Sequence, residues 1–251
     1  MDIYAFPPIA AILDAAYGAL TALSAALEPL AGTAASAAAV ILVTLLIRAL
    51  LIPVGISQAK AEQARARLAP KLREIQKRHK KNPERLQRET MQLYKDENTS
   101  PFAGCLPVLL QAPVVGILYT LFLRTDTAGH ANDLLSHDLF GASLGTSLVH
   151  VLVAGPFSLP TLLVYVALIA IMIAVAELTR RAFRPTPVDD SPLSSPGLLR
   201  MMNALHYLTA VFAVFVPLAA SLYLTVTVAW TLVQRVILRR RYPLPVQPAF
   251  K

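Results

Sequence analysis

The sequence predicts an all-α integral membrane protein, with five transmembrane helices around a hydrophilic groove and an antiparallel helical hairpin on the cytoplasmic side. Three observations lead there. The composition is membrane-like, with 55% hydrophobic and 15% charged residues and a mean hydropathy of +0.55; a soluble domain carries about 25% charge. Apolar runs alternate with strongly basic segments along the chain. Finally, Arg48 sits inside the otherwise uncharged run 34–56, which is long enough to cross a bilayer, given that about 20 apolar residues suffice. A guanidinium cannot shed its proton, and exposing it to lipid at depth costs from about 3 to more than 10 kcal/mol. Arg48 must face a wet or polar cavity, unless it snorkels to the inner interface across the eight residues that separate it from Ile56, roughly 12 Å of helix.

The elements follow in order. Residues 1–33 contain no lysine or arginine. Their alanine-rich part, 8–31, carries Asp14, Thr21, Ser24 and Glu28, which predicts an amphipathic helix on the outer surface instead of a further crossing. Without a basic start a cleaved signal is not expected, and there is no early cysteine for a lipid anchor. Residues 34–56 form the first crossing. In 57–100, Leu68, Leu72 and Ile75 recur at helical spacing, as do Leu86, Thr90 and Leu93. Asn82-Pro83-Glu84 supplies an N-cap, a first-turn proline and an early acid, marking where a second helix starts. A basic helical hairpin follows, with Pro70 expected to kink or interrupt its first arm.

Residues 101–123, with Pro107 and Pro113, make the second crossing, and 124–159 an external loop with a partly buried helix. The third crossing, 160–178, precedes a linker, 179–200, rich in proline, serine and aspartate. The uncharged run 201–234 is too long for one helix. Pro217 divides it into two crossings, 201–216 and 217–235, before a basic tail, 236–251. Of the 23 lysines and arginines, all but Arg48 and Arg124 fall in 57–100, between the third and fourth crossings, or from the inner end of the fifth, Arg235, onward. The positive-inside rule then places the N-terminus outside and the C-terminus in the cytoplasm. Five crossings are what that orientation requires. A bacterial plasma membrane fits, although an organellar inner membrane would carry the same pattern.

The net charge of +8 is accounted for by those inner segments, and the lone Cys105 excludes a disulfide framework or a cysteine metal site. No metalloprotease, nucleophile-elbow, phosphate-loop or dinucleotide motif occurs, and no two histidines share metal-ligand spacing. No acid lies within a crossing, Glu177 standing at a border, and His206 is a helix-packing residue before it is a proton relay. No enzyme activity, cofactor or metal is expected. What is left is a set of polar groups at membrane depth: Thr44 and Arg48, Gln111, and Tyr223, Thr227 and Gln234. Thr44 and Arg48 share a helix face, as do Tyr223 and Thr227. If these faces converge they line a hydrated groove with one fixed positive charge.

Three stretches carry a resemblance. TLLIRALLIP at 44–53 has an arginine late in a crossing and a proline soon after; QLYKDENTSPFAGCLPVLLQAPVVGILYTLF closes the basic hairpin at 92–122; FAVFVPLAASLYLTVTVAWTLVQR spans 212–235. In this order they resemble the YidC/Oxa/Alb family of membrane protein insertases, over about 35–235. Two departures are Thr99-Ser100, where an asparagine often precedes the proline, and Ala103 in place of a frequent glycine. The large extra domain of some bacterial members is missing, so the chain resembles the short five-span form.

The resemblance implies a protein that inserts and folds membrane proteins without nucleotide hydrolysis, alone or beside the Sec translocon. It implies Arg48 as the positive residue of a groove closed to the outside, with Gln111 and Tyr223 as further lining. It also implies substrate reception by the hairpin 58–97 and approach of the basic tail to a ribosome. Nascent membrane proteins and anionic lipids are the remaining partners, and a monomer is expected to suffice. Two rivals stand beside this. One is a small-solute transporter or channel with an arginine anion site, disfavoured because no half of the chain repeats the other. The other is an assembly scaffold that binds helices without moving them.

Overall fold

The computed structural model describes residues 7–97, 116–117, 120–122, 126–127, 130–155, 158–183, 201 and 204–244. Most of the expected second crossing with Gln111, most of the linker 179–200, Arg124 and the end of the basic tail lie outside these residues. The described chain is mostly helical, with two short antiparallel ribbons. It divides into two compact units, one of residues 1–49 and 115–232, the other of 50–114 and 233–251. Among the described residues, three stretches are long and apolar enough to cross a membrane: Ala10–Leu50, Leu159–Ala182 and Leu218–Arg241.

The first unit begins with α1 (Pro7–Ala31), a 3-10 turn at Gly32–Ala34 and α2 (Ala35–Leu50). In one straight helix Ser24 and Ser36 would stand about 18 Å apart at 1.5 Å per residue. Their hydroxyls are in fact 2.7 Å apart and buried, so the chain folds back at the turn. The expected helix over 8–31 is present as α1, but Leu13, Leu20 and Ser24 are buried, so one side of α1 is covered by protein. α2 ends at Leu50 and does not run on to Ile56. Pro53, in the first turn of the next helix, has no N–H to offer Ala49 and its ring crowds that carbonyl.

The expected external loop holds ribbon β1–β2 (Asp126–Thr127, His130–Ala131), a 3-10 turn at Asp133–Ser136, ribbon β3–β4 (Asp138–Leu139, Ala142–Ser143) and α5 (Leu148–Val153). Two-residue strands leave no alternating pattern long enough to read from sequence. Next comes α6 (Leu159–Ala182), capped by Ser158, whose hydroxyl accepts from Thr161 N at 3.3 Å. Thr161, Tyr165, Met172 and Ala176 form its buried face, while Leu159, Leu163 and Val166 are exposed.

α7 (Leu208–Phe215) and α8 (Leu218–Arg241) are separated at Val216-Pro217, as Pro217 requires. α7 itself rises only about 12 Å over its eight residues, so a crossing over 201–216 also takes in the residues before it, of which 202–203 lie outside the described ones. The break is held in place by polar bonds. Leu218 and Ala219 donate backbone N–H to the carbonyls of Thr146 (2.8 Å) and Leu144 (3.0 Å). The helix start, which has no partners of its own, thereby borrows acceptors from the loop. Tyr165 O–H donates to Thr146 O (2.6 Å) and Ser221 O–H to Ala213 O (3.0 Å). Small residues Ala210 and Ala213 let α7 approach Met172 of α6, with Leu224 and Val228 of α8 against them.

In the second unit α3 (Ile52–Arg78) and α4 (Pro83–Asp96) pack together across a turn at 79–82. Asn82 caps α4, its Oδ1 accepting from Arg85 N at 3.1 Å. Pro70 does not interrupt α3. It lies exposed on the helix, which continues although the Ala66 carbonyl loses its helix bond there.

Candidate functional site: a helix face ending in Arg48

On α2 the buried residues Ala37, Val40 and Thr44 recur at three- and four-residue spacing, and Arg48 continues that row. Leu42, Leu46 and Leu50 recur at the same spacing on the opposite side and are exposed. Arg48 is accordingly on the protein-facing side, half-buried, in the last turn of α2. Among the described residues no carboxylate pairs with it. Thr44 is 1% exposed and donates its hydroxyl to Val40 O at 2.7 Å, so its hydrogen-bonding capacity is spent largely within its own helix.

Tyr223, Thr227 and Gln234 lie on one face of α8, at i, i+4 and i+11. Tyr223 is buried, with its ring 6.5 Å from that of Phe122 at a tilt of 46°. The Thr227 hydroxyl is buried and has no hydrogen-bond partner among the described residues. Such an atom costs about 1–3 kcal/mol unless water or a ligand reaches it. Gln234 meets the backbone of Gly55, where an added Cβ would come 1.9 Å from Gln234 Nε2. Among the described residues, no side-chain hydrogen bond joins the Thr44–Arg48 face to the Tyr223–Thr227 face.

Two charged constellations escaped the sequence reading. Glu62 of α3 accepts from Arg239 (2.7 Å) and Arg235 (3.2 Å) at the end of α8. Burial alone would push the Glu62 carboxyl up, but the Arg239 hydrogen bond and the Arg235 charge outweigh it and hold the group below the usual carboxylate range. Two further contacts tie the same segments: Gln63 Nε2 donates to Pro243 O (2.9 Å), and Lys60 Nζ lies 5.8 Å from the Tyr242 ring centre. Glu177, near the end of α6, accepts from Arg180 (2.6 and 2.8 Å), Arg181 (2.5 Å) and the Tyr207 hydroxyl (2.5 Å). Four donor contacts satisfy an acid close to a membrane-length apolar helix. An acid within four residues of an arginine is the one signal the sequence offers, and it occurs at both places. It points to the true partners Arg180 and Arg181 for Glu177, but for Glu62 it points to Arg65 and not to Arg235 and Arg239.

Comparison with known proteins agrees with the three quoted stretches. The family profile described as 60Kd inner membrane protein matches residues 27–245. The membrane protein insertase YidC of Streptomyces avermitilis is 28% identical over 221 residues, covering 82% of this chain and 51% of that protein. That of Pasteurella multocida is 29% identical over 208 residues, 80% of this chain and 33% of its own length. That of Clostridium perfringens is 42% identical over 83 residues, 33% of this chain and 35% of the relative. The chain thus spans about half or less of the length of these curated relatives. With the profile matching most of its residues and with membrane-length apolar helices on the page, the chain belongs to the 60Kd inner membrane protein family, the family of the YidC membrane protein insertases.

Proposed function

We propose that this protein is a membrane protein insertase of the bacterial plasma membrane. It passes the hydrophilic tails of nascent membrane proteins through a positively charged intramembrane groove and releases their apolar segments to lipid. The observation that carries this reading is Arg48: a permanent cation on the covered face of α2, with no carboxylate to neutralise it among the described residues. A charge kept for structure alone would be paired, because an unpaired one in an apolar surrounding is costly. A charge kept to attract something is left available.

A polar tail faces about 30 Å of hydrocarbon. A hydrated groove reaching partway shortens that path, and Arg48 draws acidic residues of the tail at reduced local dielectric. The membrane potential assists negative tails by roughly 2.3 kcal/mol per charge per 100 mV. Lateral exit of the apolar segment follows from its preference for lipid, so no covalent step or cofactor is needed. Thr44, Tyr223, Thr227, Gln234 and Gln111 are the groove's neutral lining in this reading, and the open Thr227 hydroxyl suits a water-filled wall. The five crossings are 34–56, 101–123, 160–178, 201–216 and 217–235, with the N-terminus outside, the hairpin in 57–100 and the tail 236–251 inside. The hairpin receives substrate, and the basic segments approach anionic lipid, the ribosome and, for some substrates, the Sec translocon; a monomer suffices.

The test is reconstitution of the full chain in vesicles with a single-span substrate bearing a short acidic N-terminal tail. Protease protection of the tail is expected for the parent, a several-fold loss for Arg48→Ala and a milder loss for Arg48→Lys. Equal protection by Arg48→Ala and the parent removes the role given to Arg48. Substrate binding without protection favours the scaffold, and solute flux without insertion favours the channel.

A further inference from the structure

Ribbon β3–β4 turns through two residues only, because Leu139 pairs with Ala142. Both turn residues have positive φ, 51° at Phe140 and 83° at Gly141. That is the arrangement of a type I′ turn, which favours Asn-Gly because both central residues must enter the left-handed region. Glycine does so freely, whereas a bulky side chain such as phenylalanine does so at a steric cost. Phe140 is the one non-glycine residue with positive φ among those described, and its side chain meets little of this chain, being 71% exposed. The strained backbone is therefore not compensated by packing within the protein. The ribbon itself is fixed: Ser143 Oγ donates to Leu135 O (3.0 Å), Leu144 N to His137 O (2.9 Å) and Thr161 Oγ1 to Gly141 O (2.9 Å).

The last of these bonds sets the depth. Thr161 belongs to the first turn of α6, a helix long and apolar enough to cross a bilayer. The turn that carries Phe140 is thus held level with the end of that helix. Beside it, Leu159, Leu163 and Val166 form the exposed apolar row of α6, the row that would meet lipid. In the chain leading into the turn, Asp133, Ser136, His137 and Asp138 are polar and exposed, as suits the water side of a headgroup layer. An apolar ring at the boundary between such zones has the placement of an interfacial aromatic anchor.

We infer that Phe140 is a lipid anchor: the β3–β4 turn presses its ring into the headgroup–acyl boundary at the start of α6 and fixes the depth of that helix and of the loop carbonyls that receive α8. The bilayer supplies the burial that the folded chain does not. This inference requires α6 to cross the membrane and is independent of what the protein transports.

The test uses the full chain in phosphatidylcholine vesicles. Phe140→Cys in a Cys105→Ala background is labelled with a polarity-sensitive fluorophore, with Ser136→Cys as the aqueous reference and Leu163→Cys as the lipid reference. Expected is quenching at 140 by a nitroxide near the headgroup several-fold greater than by one at the chain end, with iodide quenching well below that at 136. Iodide quenching equal to that at 136 overturns the inference by placing the ring in water. Resistance to both quenchers overturns it by placing the ring against protein, such as a second copy. If the cysteine variant does not assemble, Phe140→Trp keeps an aromatic there, and quenching by brominated lipid is read as a difference from the parent, whose one tryptophan is Trp230. Quenching beyond the parent's supports the anchor, and none beyond it overturns the anchor.

Discussion

At Arg48 the structure adds a stabilising effect that the linear sequence hides. Because α2 stops at Leu50, the guanidinium stands in a helix's last turn, where the unpaired carbonyls favour a cation by about 0.3–1 kcal/mol. Lipid exposure at depth costs from about 3 to more than 10 kcal/mol, so the helix end offsets only a small part and hydration must supply the rest. Two glycines show how the identity of the obstructing atom decides the outcome of a substitution. An added Cβ at Gly55 meets the far end of Gln234, which can rotate away. The helix-propensity gain of about 1 kcal/mol for Gly→Ala then balances an off-rotamer cost of about 0.5–1.5 kcal/mol. Gly55→Ala should leave thermal stability in detergent within about 1 kcal/mol of the parent, and any change in insertion it causes reports on Gln234. At Gly145 the Cβ would lie 2.9 Å from the Leu135 carbonyl oxygen, which also accepts the Gly145 N–H. Backbone cannot rotate away, so Gly145→Ala should cost about 1–3 kcal/mol in the same measurement.

Among the elements, those set by local chemistry were legible in the sequence. Asn82-Pro83 marked the start of α4, Pro217 divided α7 from α8, and the uncharged run after 158 gave α6. Elements set by distant partners were not. The end of α2 was missed because an apolar tally runs through Pro53 without registering its lost donor, and the ribbons because two residues carry no period. Of the site, the faces of α2 and α8 follow from helical spacing. The Glu62 contact joins residues 173 and 177 positions apart, a separation at which sequence pattern is silent. That contact should respond to pH. The folded Glu62 carboxyl is held below its ordinary value of 4.5, so folding favours its ionised form. Its contribution is fully present at neutral pH, starts to fade as pH falls below about 4.5, and is gone once pH passes the lower folded value. Spin labels on exposed positions of α3 and at the end of α8 should move apart over that acid range in the parent. In Glu62→Gln they should show no such transition, because the neutral amide cannot titrate.

For the whole molecule, the basic segment 57–100 has two separable parts, and activity measurements can tell them apart. Its proximal part carries Lys60, Glu62 and Gln63, which hold the end of α8. Its distal part carries the rest of α3 and α4, joined by the Lys71–Glu97 ion pair and the capped turn at Asn82. Deleting 58–97 removes both, and insertion is expected to fall while the apolar helices still enter the membrane. That loss alone would not separate reception of substrate from loosening of α8. Replacing 71–97 with a short Gly/Ser linker keeps the Glu62 contacts and removes the distal part. Exposed ion pairs such as Lys71–Glu97 contribute only about 0–1 kcal/mol, so the linker variant should stay close to the parent in thermal stability. If the distal helices receive substrate, the linker variant should lose insertion nearly as far as the full deletion does. If they are only a solvated basic surface, insertion by the linker variant should match the parent, and Glu62→Ala should then reproduce the defect of the full deletion by itself.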